Sequence, residues 1–313
     1  MTAATVKNTA PAWVIGSGGL LGGAVTTELR RRGSNVTTSS IDWTNEHRAA
    51  EQLATHARSV VNAGDRWRVF WCAGAGVNGT STQQFAQEQR VLQSLLDVLT
   101  EAPNAANGSF FFASSAGGVY AGTPDAPHTE ASTPMPLGDY GRAKIDSEAA
   151  VRRFSERTGC ATVLGRIANL YGPGQNLTKP QGLVSHLCRG YLLARPVPIY
   201  VPMDTLRDLL FVTDAAEMVV DAVDVALDRP GDCVTKIFAT GHSVSIGAIL
   251  GACRMVFRQP PRVIMAASPL AALQGRDLRL RSQVWTELDR RPFRTLPAGI
   301  AATLQSIRSA VLR

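Results

Sequence analysis

The sequence predicts an α/β protein built on a doubly wound parallel sheet, with a smaller mixed α/β unit toward the C-terminus. Short apolar or β-branched segments alternate with longer amphipathic ones, as happens when helices cover both faces of a parallel sheet. The strand-like segments are AWVI, NVTTSS, RVFWCAGAG, SFFFASS and ATVLGRIANLYG. The helical segments between them include 83–100, where apolar side chains recur at helical spacing, and 138–158. After Gly172 the alternation breaks and prolines become frequent.

The composition is that of a folded globular protein. Hydrophobic residues make up 45% and charged residues 18% of the 313 residues, which is ordinary for packed domains. No run of about eighteen apolar residues occurs, and the first residues hold no long apolar region of a secretory signal. We therefore expect a cytoplasmic protein without a membrane span.

Cysteine and histidine spacing gives no sign of a disulfide framework or a metal site. The five cysteines are an odd number without a C-x-x-C pair, and the five histidines lack metal-ligand spacing. We expect free buried thiols and no metal.

The net charge of +7 is unevenly distributed. From Gly251 onward, eleven arginines stand against three acids. No aromatic-interleaved basic motif accompanies them, so nucleic acid is not the expected partner. The surplus could attract an anionic small substrate, or it could be a solvated surface with no further role.

Three glycines follow the first predicted strand. Gly16, Gly19 and Gly22 form a G-x-x-G-x-x-G pattern at the junction of that strand with the next helix. Such a turn lets the backbone approach a pyrophosphate and lets helix and strand pack closely, while the helix N-terminus binds phosphate. The pattern predicts a Rossmann-type dinucleotide site, with Leu20 and Leu21 among the contacting residues.

The break after Gly172 suggests a division of the chain. We expect residues 1–172 to form the NAD(P)-binding Rossmann domain, with 208–229 returning to it as one more strand and helix. Residues 173–207 and 230–313 would form the substrate-binding domain. Within the latter part we expect a strand at KIFATG, a helix over 245–257, a short strand near 262–265 and a terminal helix from about Leu296.

The end of the second predicted strand bears on the choice of dinucleotide. An NAD site usually carries Asp or Glu there to bond the ribose hydroxyls. This chain has Ser39 and Ser40, and its first carboxylate is Asp42, which could lie near the adenine. Hydroxyls accept a 2′-phosphate better than a carboxylate does, and Arg30–Arg32 could assist or could form a solvated helix end. The expected cofactor is NADP or NAD, with a slight preference for NADP.

Tyr140 and Lys144 stand four residues apart in DYGRAK, within a predicted helix. That spacing places both side chains on one helix face, where the ammonium stabilises the tyrosinate. The phenol can then exchange a proton with a substrate oxygen while hydride moves between substrate and nicotinamide. Upstream, Ser114 and Ser115 end an apolar strand, where a hydroxyl could hold the substrate oxygen. Ser115 is the preferred candidate.

Taken together, these motifs resemble the extended short-chain dehydrogenases/reductases, and within them the NAD(P)-dependent nucleotide-sugar epimerase/dehydratase family. The segments that carry the resemblance are IGSGGLLG, SSAGGVY, DYGRAK, RIANLYGPG and RDLLFVTDAA, in the family's order and approximate spacing. ATGHSVSIGAIL is similar to the family's late strand-to-helix segment.

The resemblance implies roles for particular residues. The cofactor-binding set comprises Gly16, Gly19, Leu20, Leu21, Gly22, Ser39, Ser40, Asp42, Ala73, Gly74, Ala113, Tyr140 and Lys144, and the catalytic set comprises Ser115, Tyr140 and Lys144. Asn169 and Arg207 would contact the diphosphate of a nucleotide sugar, since an arginine fork suits phosphate oxygens. Arg207 could instead pair with Asp204 or Asp208.

The chain also departs from the family's pattern. Where the family commonly has Asn-x-x-Gly-Thr in its fourth helix, this chain has Glu88-Gln-Arg-Val91-Leu92. Ala116 could occupy the family's serine position instead of Ser115. Sugar 4,6-dehydratases carry an Asp-Glu pair just after that hydroxyl, whereas here Ala116 is followed by two glycines. We therefore do not expect dehydration.

The sequence favours a nucleotide-sugar epimerase or 4-ketoreductase that works by hydride transfer. The alternatives are a reductase or dehydrogenase of a non-nucleotide alcohol or ketone, and a non-catalytic NAD(P)-binding protein. The resemblance also suggests a homodimer joined through the helices at 83–100 and 138–158. Burial of their apolar stripes within one chain would produce the same pattern.

Overall fold

The computed structural model of the protein describes residues 10–74, 76, 79–179 and 181–311. Its strands are β1 (Ala12–Ile15), β2 (Val36–Thr38), β3 (Trp67–Trp71), β4 (Gly108–Ser115), β5 (Ala161–Ile167), β6 (Asn169–Tyr171), β7 (Val197–Ile199), β8 (Leu206–Phe211), β9 (Cys233–Phe238), β10 (Ser243–Ser245), β11 (Val263–Met265) and β12 (Asp277–Leu278). Its α-helices are α1 (Leu20–Arg31), α2 (Glu46–Val61), α3 (Thr82–Thr100), α4 (Ala116–Val119), α5 (Asp139–Thr158), α6 (Leu183–Leu192), α7 (Val212–Leu227), α8 (Ile246–Phe257) and α9 (Leu296–Val311). Short 3-10 helices cover Ala105–Asn107, Pro269–Leu273 and Thr286–Asp289.

The main sheet has the spatial order β2-β1-β3-β4-β5-β9, and every neighbouring pair in it is parallel. The chain runs outward from β1 to β2 on one side and from β3 to β9 on the other. This reversal opens a crevice at the carboxyl ends of β1 and β3, which is where such sheets bind ligands. The expected doubly wound Rossmann fold is confirmed.

Helices cover both faces of this sheet, which explains why its strands read as continuous apolar runs. In β1, Trp13 packs into the cluster with α2, α3 and α5, while Val14 packs into the opposite cluster with α1 and α7. In β4, Phe110 and Phe111 divide in the same way. Because adjacent strand residues point to opposite faces, two separate cores form from one sheet.

A smaller unit lies beyond the main sheet. β8 pairs with β10, β12 and β6, and β7 pairs with β11. Helices α6, α8 and α9 supply a third apolar cluster, which includes Leu187, Cys253 and Ile300. Tyr171 and Phe211 join this cluster from the ends of β6 and β8, so the cluster packs directly on strands of the smaller sheet.

Two strand assignments made from the sequence were wrong. The strand in KIFATG, expected in the smaller domain, is part of β9, the sixth strand of the main sheet, beside β5. Residues 208–211 were expected to return to the main sheet, but they belong to β8 and pair in the smaller one. The helix that follows does return, since α7 contacts α1, β4 and β5. The remaining domain boundaries stay a prediction.

The helices α3 and α5 bury their apolar faces inside the chain. Leu95 and Leu99 of α3 and Val151 and Phe154 of α5 belong to one cluster under the sheet. The apolar stripes are therefore accounted for without a partner, and the homodimer stays a prediction. In the part of the chain that the structure describes, no helix is both long enough and apolar enough to cross a membrane.

Candidate functional site

The glycine turn between β1 and α1 leaves no room for side chains at two positions. Gly16 has a φ of +83°, and a Cβ there would lie 2.7 Å from the backbone nitrogen of Ala73. A Cβ on Gly22 would lie 2.2 Å from the carbonyl oxygen of Gly16. Both distances are below any real contact, so glycine is required for the turn to approach β3 and for α1 to pack on the turn.

The N-terminus of α1 is open to an anion. Gly19 caps the helix without a side-chain hydrogen bond, and the first turn holds no acidic residue. The amides of this first turn have no partner within the helix, and the helix dipole adds positive potential. The side chain of Leu21 packs in the core, so what Leu20 and Leu21 can offer to an anion at this helix N-terminus is their main-chain amides. A Cβ on exposed Gly18 would meet nothing within 4 Å. The turn therefore fits a dinucleotide pyrophosphate.

The ends of β3 and β4 form the next part of the crevice. Ala73 and Gly74 follow β3, and Gly74 is exposed with a φ of +148°. The carbonyl oxygen of Ala113, in β4, accepts a hydrogen bond of 3.0 Å from Lys144 Nζ. This hydrogen bond joins β4 directly to α5, the helix that carries the predicted catalytic pair.

The end of β2 offers few groups for a 2′-phosphate. Ser39 Oγ accepts a 3.1 Å hydrogen bond from the indole of Trp13, whereas Ser40 is exposed. Asp42 accepts hydrogen bonds from the side chain and backbone of Thr44, and these lower the pKa of its carboxyl. Arg31 and Arg32 both bind Glu28, and Arg32 also binds Asp221 of α7.

Tyr140 and Lys144 lie on the first turns of α5, as their spacing predicts. Lys144 Nζ lies 5.9 Å from the centroid of the Tyr140 ring and 5.1 Å from that of Phe112. Both residues are half-buried at the lining of a cleft. This cleft also contains Gly74, so the pair faces the carboxyl end of β3 rather than away from the crevice.

The two serines at the end of β4 have different surroundings. Ser114 is buried, and its hydroxyl donates a 2.5 Å hydrogen bond to Glu148, which forms a buried ion pair with Arg166. Ser115 is half-buried and caps α4, accepting a 3.1 Å hydrogen bond from the Gly118 amide. Because the Ser115 hydroxyl retains its hydrogen for donation, it suits a substrate oxygen better than the Ser114 hydroxyl does.

Close packing at Gly118 brings Ser115 and Tyr140 together. A Cβ on Gly118 would lie 2.9 Å from two ring carbons of Tyr140. A Cβ on Gly141 would lie 2.2 Å from the Gly118 carbonyl oxygen. The turn that Ser115 caps therefore lies against the phenol ring, and two glycines in GGVY and DYGRAK permit this contact. Ala116, the other candidate for the serine position, is fully buried.

Arg207 is buried in β8, between β10 and β12. Its Nη1 donates to the carbonyl oxygens of Leu206 and Gly275, both at 2.8 Å, and Nη2 donates to Gln274 at 3.3 Å. The expected alternative of an ion pair is wrong, because Asp204 pairs with Arg276 and Asp208 accepts from Thr240. Burial lowers the pKa of Arg207 to about 10. Among the residues that the structure describes, no carboxylate pairs with Arg207, and a cation in this position suits an anionic ligand.

Asn169 begins β6 and is exposed. It pairs with Leu209 of β8, two residues from Arg207. Residues two apart on a strand share a face, so Asn169 and Arg207 lie on one side of the smaller sheet. The structure places these two predicted substrate residues on neighbouring strands.

Sequence reasoning missed part of the cleft. Glu88 and Phe85 of α3 line it together with Gly76, and the Glu88 carboxylate accepts a 3.1 Å hydrogen bond from the Gly76 amide. The sequence did indicate that Glu88 is unusual, because the family commonly has Asn at this position. It could not show that this helix lies beside the predicted catalytic pair. Within the described residues, no group of acids, histidines and cysteines could hold a metal ion.

A sequence profile of the NAD dependent epimerase/dehydratase family matches residues 12–234. The chain belongs to this family. The match begins at β1 and ends within β9, so it contains the whole glycine turn, the Ser115 loop and the Tyr140–Lys144 helix. The resemblance to extended short-chain dehydrogenases/reductases is thereby confirmed, and the family is one of NAD-dependent enzymes.

Two curated relatives of this epimerase/dehydratase chain act on dTDP-sugars according to their names. It is 25% identical to dTDP-4-dehydro-6-deoxyglucose reductase of Escherichia coli over 197 residues, which are 63% of this chain and 60% of the relative. It is 30% identical to dTDP-L-rhamnose 4-epimerase of Burkholderia thailandensis over 115 residues, 36% and 31% of the two chains. The chain thus spans less than two thirds of the length of these relatives.

Solved structures of similar fold extend over nearly the whole epimerase/dehydratase chain. MoeE5 in complex with UDP-glucose and NAD aligns with a TM-score of 0.80 at 23% identity, covering 96% of this chain and 99% of its own. UDP-glucose 4-epimerase of Thermus thermophilus, in complex with NAD, aligns equally well at 20% identity and the same coverage. These likenesses support the fold. The family and both complexes name NAD, so the slight preference for NADP drawn from the sequence has no support.

Proposed function

We propose that this chain is an NAD-dependent nucleotide-sugar epimerase or 4-ketoreductase with Tyr140 and Lys144 as its acid–base pair. The observation that carries the proposal is the contact of the Tyr140 ring with Gly118 in the turn that Ser115 caps, beside the cofactor-facing strand ends. A substrate oxygen held by Ser115 would be within reach of the phenol. The bound nicotinamide would accept or supply the hydride.

The residues divide the work as follows. Ser115 donates a hydrogen bond to the reacting oxygen and orients the carbon that bears it. Tyr140 gives a proton to that oxygen when a ketone is reduced, and takes it back when an alcohol is oxidised. The Lys144 ammonium, held in place by the Ala113 carbonyl, stabilises the tyrosinate left behind. An epimerase carries out both directions in one turnover, whereas a reductase carries out one.

The proposed cofactor is NAD. Arg31 binds Glu28 of α1, and Arg32 binds both Glu28 and Asp221 of α7. These two guanidinium groups are therefore paired with carboxylates, whereas a 2′-phosphate is best bound by a guanidinium fork that is free to receive it. Isothermal titration calorimetry with NAD and with NADP tests this choice of cofactor. Tighter binding of NADP than of NAD would reject the proposal.

A reaction with a 4-keto sugar nucleotide tests the enzyme assignment. A reductase oxidises one NADH for each 4-keto sugar that it reduces. An epimerase instead interconverts two sugar nucleotides that differ at one carbon, and the amount of NADH does not change overall. Tyr140→Phe should lower turnover about 10²- to 10⁴-fold, because it removes the proton donor. Tyr200→Phe is the matched control, since Tyr200 is exposed and follows β7. Equal rates for Tyr140→Phe and the control would exclude the mechanism.

A second candidate is the same chemistry on a non-nucleotide alcohol or ketone. It is favoured by one observation, that Arg207 Nη1 directs its hydrogen bonds to two main-chain carbonyls rather than to open space. Binding of UDP or dTDP, weakened by substitution of Arg207, would exclude this candidate. Absence of any nucleoside diphosphate binding would favour it.

A further inference from the structure

Residues 266–275 join β11 to β12, and we call this segment the strap. Its sequence is AASPLAALQG, which contains no charged residue. Its middle, Pro269–Leu273, forms a short 3-10 helix. Apart from one serine hydroxyl and one glutamine amide, the side chains that the strap presents to its neighbours are therefore apolar.

The C-terminal end of the strap is bound to Arg207. The carbonyl oxygen of Gly275 accepts a 2.8 Å hydrogen bond from Nη1 of this arginine, and the side chain of Gln274 accepts one of 3.3 Å from Nη2. Gly275 is buried, and a Cβ there would lie 2.6 Å from the carbonyl oxygen of Ala121. This end of the strap is thus fixed at the predicted ligand of the diphosphate.

The 3-10 helix of the strap contacts the two loops that lead into α3 and α5. A Cβ on Gly138, two residues before Tyr140, would lie 3.3 Å from Leu273 Cδ1. A Cβ on Gly79, between β3 and α3, would lie 3.4 Å from Leu270 Cδ1. The strap therefore extends from the predicted diphosphate ligand to the start of the helix that carries the predicted acid–base pair.

Other elements around the phenol are also poor in polar side chains. Past Ser115, the turn that follows β4 has the sequence AGGV and adds no polar side chain. A Cβ on Gly117 of this turn would lie 3.7 Å from Leu278 Cδ1. From α3, the ring centroid of Phe85 lies 6.2 Å from that of Tyr140. The turn, β12 and α3 thus bring glycine and apolar side chains to this part of the site.

A sugar bound here would lie beside the strap. When the diphosphate of a nucleotide sugar binds Arg207 and its reacting carbon lies at Tyr140, the sugar ring spans the distance that the strap spans. A sugar hydroxyl that faces leucine and alanine side chains loses its hydrogen bonds to water and gains none in return. A methyl group in the same place is stabilised, because it buries apolar surface.

The position of the leucines along the strap indicates which carbon of a hexose they face. In a hexose that reacts at C4, the exocyclic carbon C6 is attached to the next ring carbon and projects farthest from the ring. C2, by contrast, lies next to the carbon that bears the diphosphate. Because Leu270 and Leu273 are at the Tyr140 end of the strap, the group nearest to them is the one on C6.

We infer that the substrate is a nucleotide-activated 6-deoxyhexose whose methyl group packs against Leu270 and Leu273. The inference rests on the proposed function and narrows its substrate to sugars without a 6-hydroxyl. The reaction itself is unchanged: a hydride moves between C4 and the nicotinamide, and a proton moves between the C4 oxygen and Tyr140. The 6-methyl group takes no part in this exchange.

Isothermal titration calorimetry on the NAD complex of the full chain tests the inference. UDP and dTDP are titrated first, and the tighter of the two then carries a matched pair of sugars, glucose and 6-deoxyglucose, which differ by one oxygen atom. The 6-deoxy ligand should bind about tenfold more tightly, because the wall leaves the extra hydroxyl without a partner. Equal affinities, or tighter binding of the glucose ligand, would overturn the inference.

Substitutions in the strap locate the preference. Leu270→Asn and Leu273→Asn each provide an amide that can bond a 6-hydroxyl, so the tenfold preference should fall to within about twofold. Leu193→Asn is the control, because Leu193 ends α6 outside the strap and is 37% exposed, as is Leu270. It should keep the full preference. Affinity for the free diphosphate, which has no sugar, reports that each variant is folded. An unchanged preference in both strap variants would contradict the role of the leucines.

Failure of this inference differs from failure of the proposed function. If the diphosphate binds and the two sugars bind equally well, the 6-deoxy preference is wrong while the nucleotide-sugar site stands. If neither UDP nor dTDP binds, the proposed function is rejected, and the inference is rejected with it.

Discussion

The proposed cofactor half and the proposed substrate half of the site are built from different parts of the chain. At the glycine turn, the first amides of α1 have no partner within the helix, and Gly16 and Gly22 are needed because any Cβ would collide with backbone. In the smaller sheet, by contrast, the predicted ligand group is the long side chain of Arg207, which is already hydrogen-bonded to Gly275 and Gln274. The first half is preformed, whereas in the second a ligand must compete with bonds inside the protein.

This difference has an energetic consequence. Amides at a helix N-terminus gain an anion without losing an existing partner. A diphosphate that takes Arg207 Nη1 would leave the carbonyls of Leu206 and Gly275 in need of other donors. The two halves should therefore respond differently to substitution. At the glycine turn, a new side chain should lower stability through steric collision, whereas at β8 a substitution should mainly lower the affinity for substrate.

The largest effect is expected for Gly22→Ala. The new Cβ would lie 2.2 Å from the Gly16 carbonyl oxygen, so α1 must move away from the turn. We expect a loss of about 3 kcal/mol in unfolding free energy, with NAD binding impaired. Gly18→Ala is the control, because a Cβ at Gly18 meets nothing within 4 Å. Denaturant unfolding and NAD titration of both variants measure the difference. Equal stability of the two would show that the turn can widen freely.

Arg207→Lys tests the substrate half. Lysine keeps the charge but loses the planar fork, so it cannot bond two carbonyls and Gln274 as the guanidinium does. We expect KM for a nucleotide sugar to rise about tenfold, with kcat and NAD affinity changed much less. Steady-state kinetics separate these quantities. A fall in kcat at unchanged KM would place Arg207 nearer the chemistry than the structure does.

The adjacent serines connect the two halves and should separate activity from stability. Ser115→Ala removes the hydroxyl near Tyr140 and should lower turnover about tenfold or more, while loss of the α4 cap should cost only about 0.5–1 kcal/mol of stability. Ser114→Ala deprives buried Glu148 of a hydrogen bond and should cost about 1–3 kcal/mol of stability, with the smaller effect on turnover. Thermal unfolding and kinetics of both variants provide the test. The reverse pattern would assign the substrate oxygen to Ser114.

The smallest effect is expected at the surface near Arg207. Arg276 pairs with Asp204, and their side chains are 70% and 62% exposed. Such exposed pairs contribute little to the free energy of unfolding, because water and salt screen them. Arg276→Ala should therefore leave unfolding free energy and KM almost unchanged. A marked rise in KM would show that the positive charge around β12 guides the anionic substrate.

The success of the sequence predictions follows the range of the interactions involved. The helix at 138–158 is observed as Asp139–Thr158, and that at 83–100 as Thr82–Thr100, because helical periodicity and capping are local. The placement of β9 failed, since nothing within KIFATG distinguishes a sixth strand beside β5 from a strand of the smaller sheet. Strand order depends on contacts between residues far apart in the chain.

The sequence by itself determined the glycine turn and the Tyr140–Lys144 face, because both depend on spacing within one element and its immediate junction. Only the tertiary structure decided which serine keeps a hydroxyl available, what Arg207 binds, and that Glu88 lines the same cleft as Lys144. Each of these depends on how separate elements pack: α5 places Glu148 beside Ser114, the 274–275 segment reaches β8, and α3 lies against α5. Side chains from separate elements meet only when those elements pack together, and the residue pattern within one segment does not specify that packing.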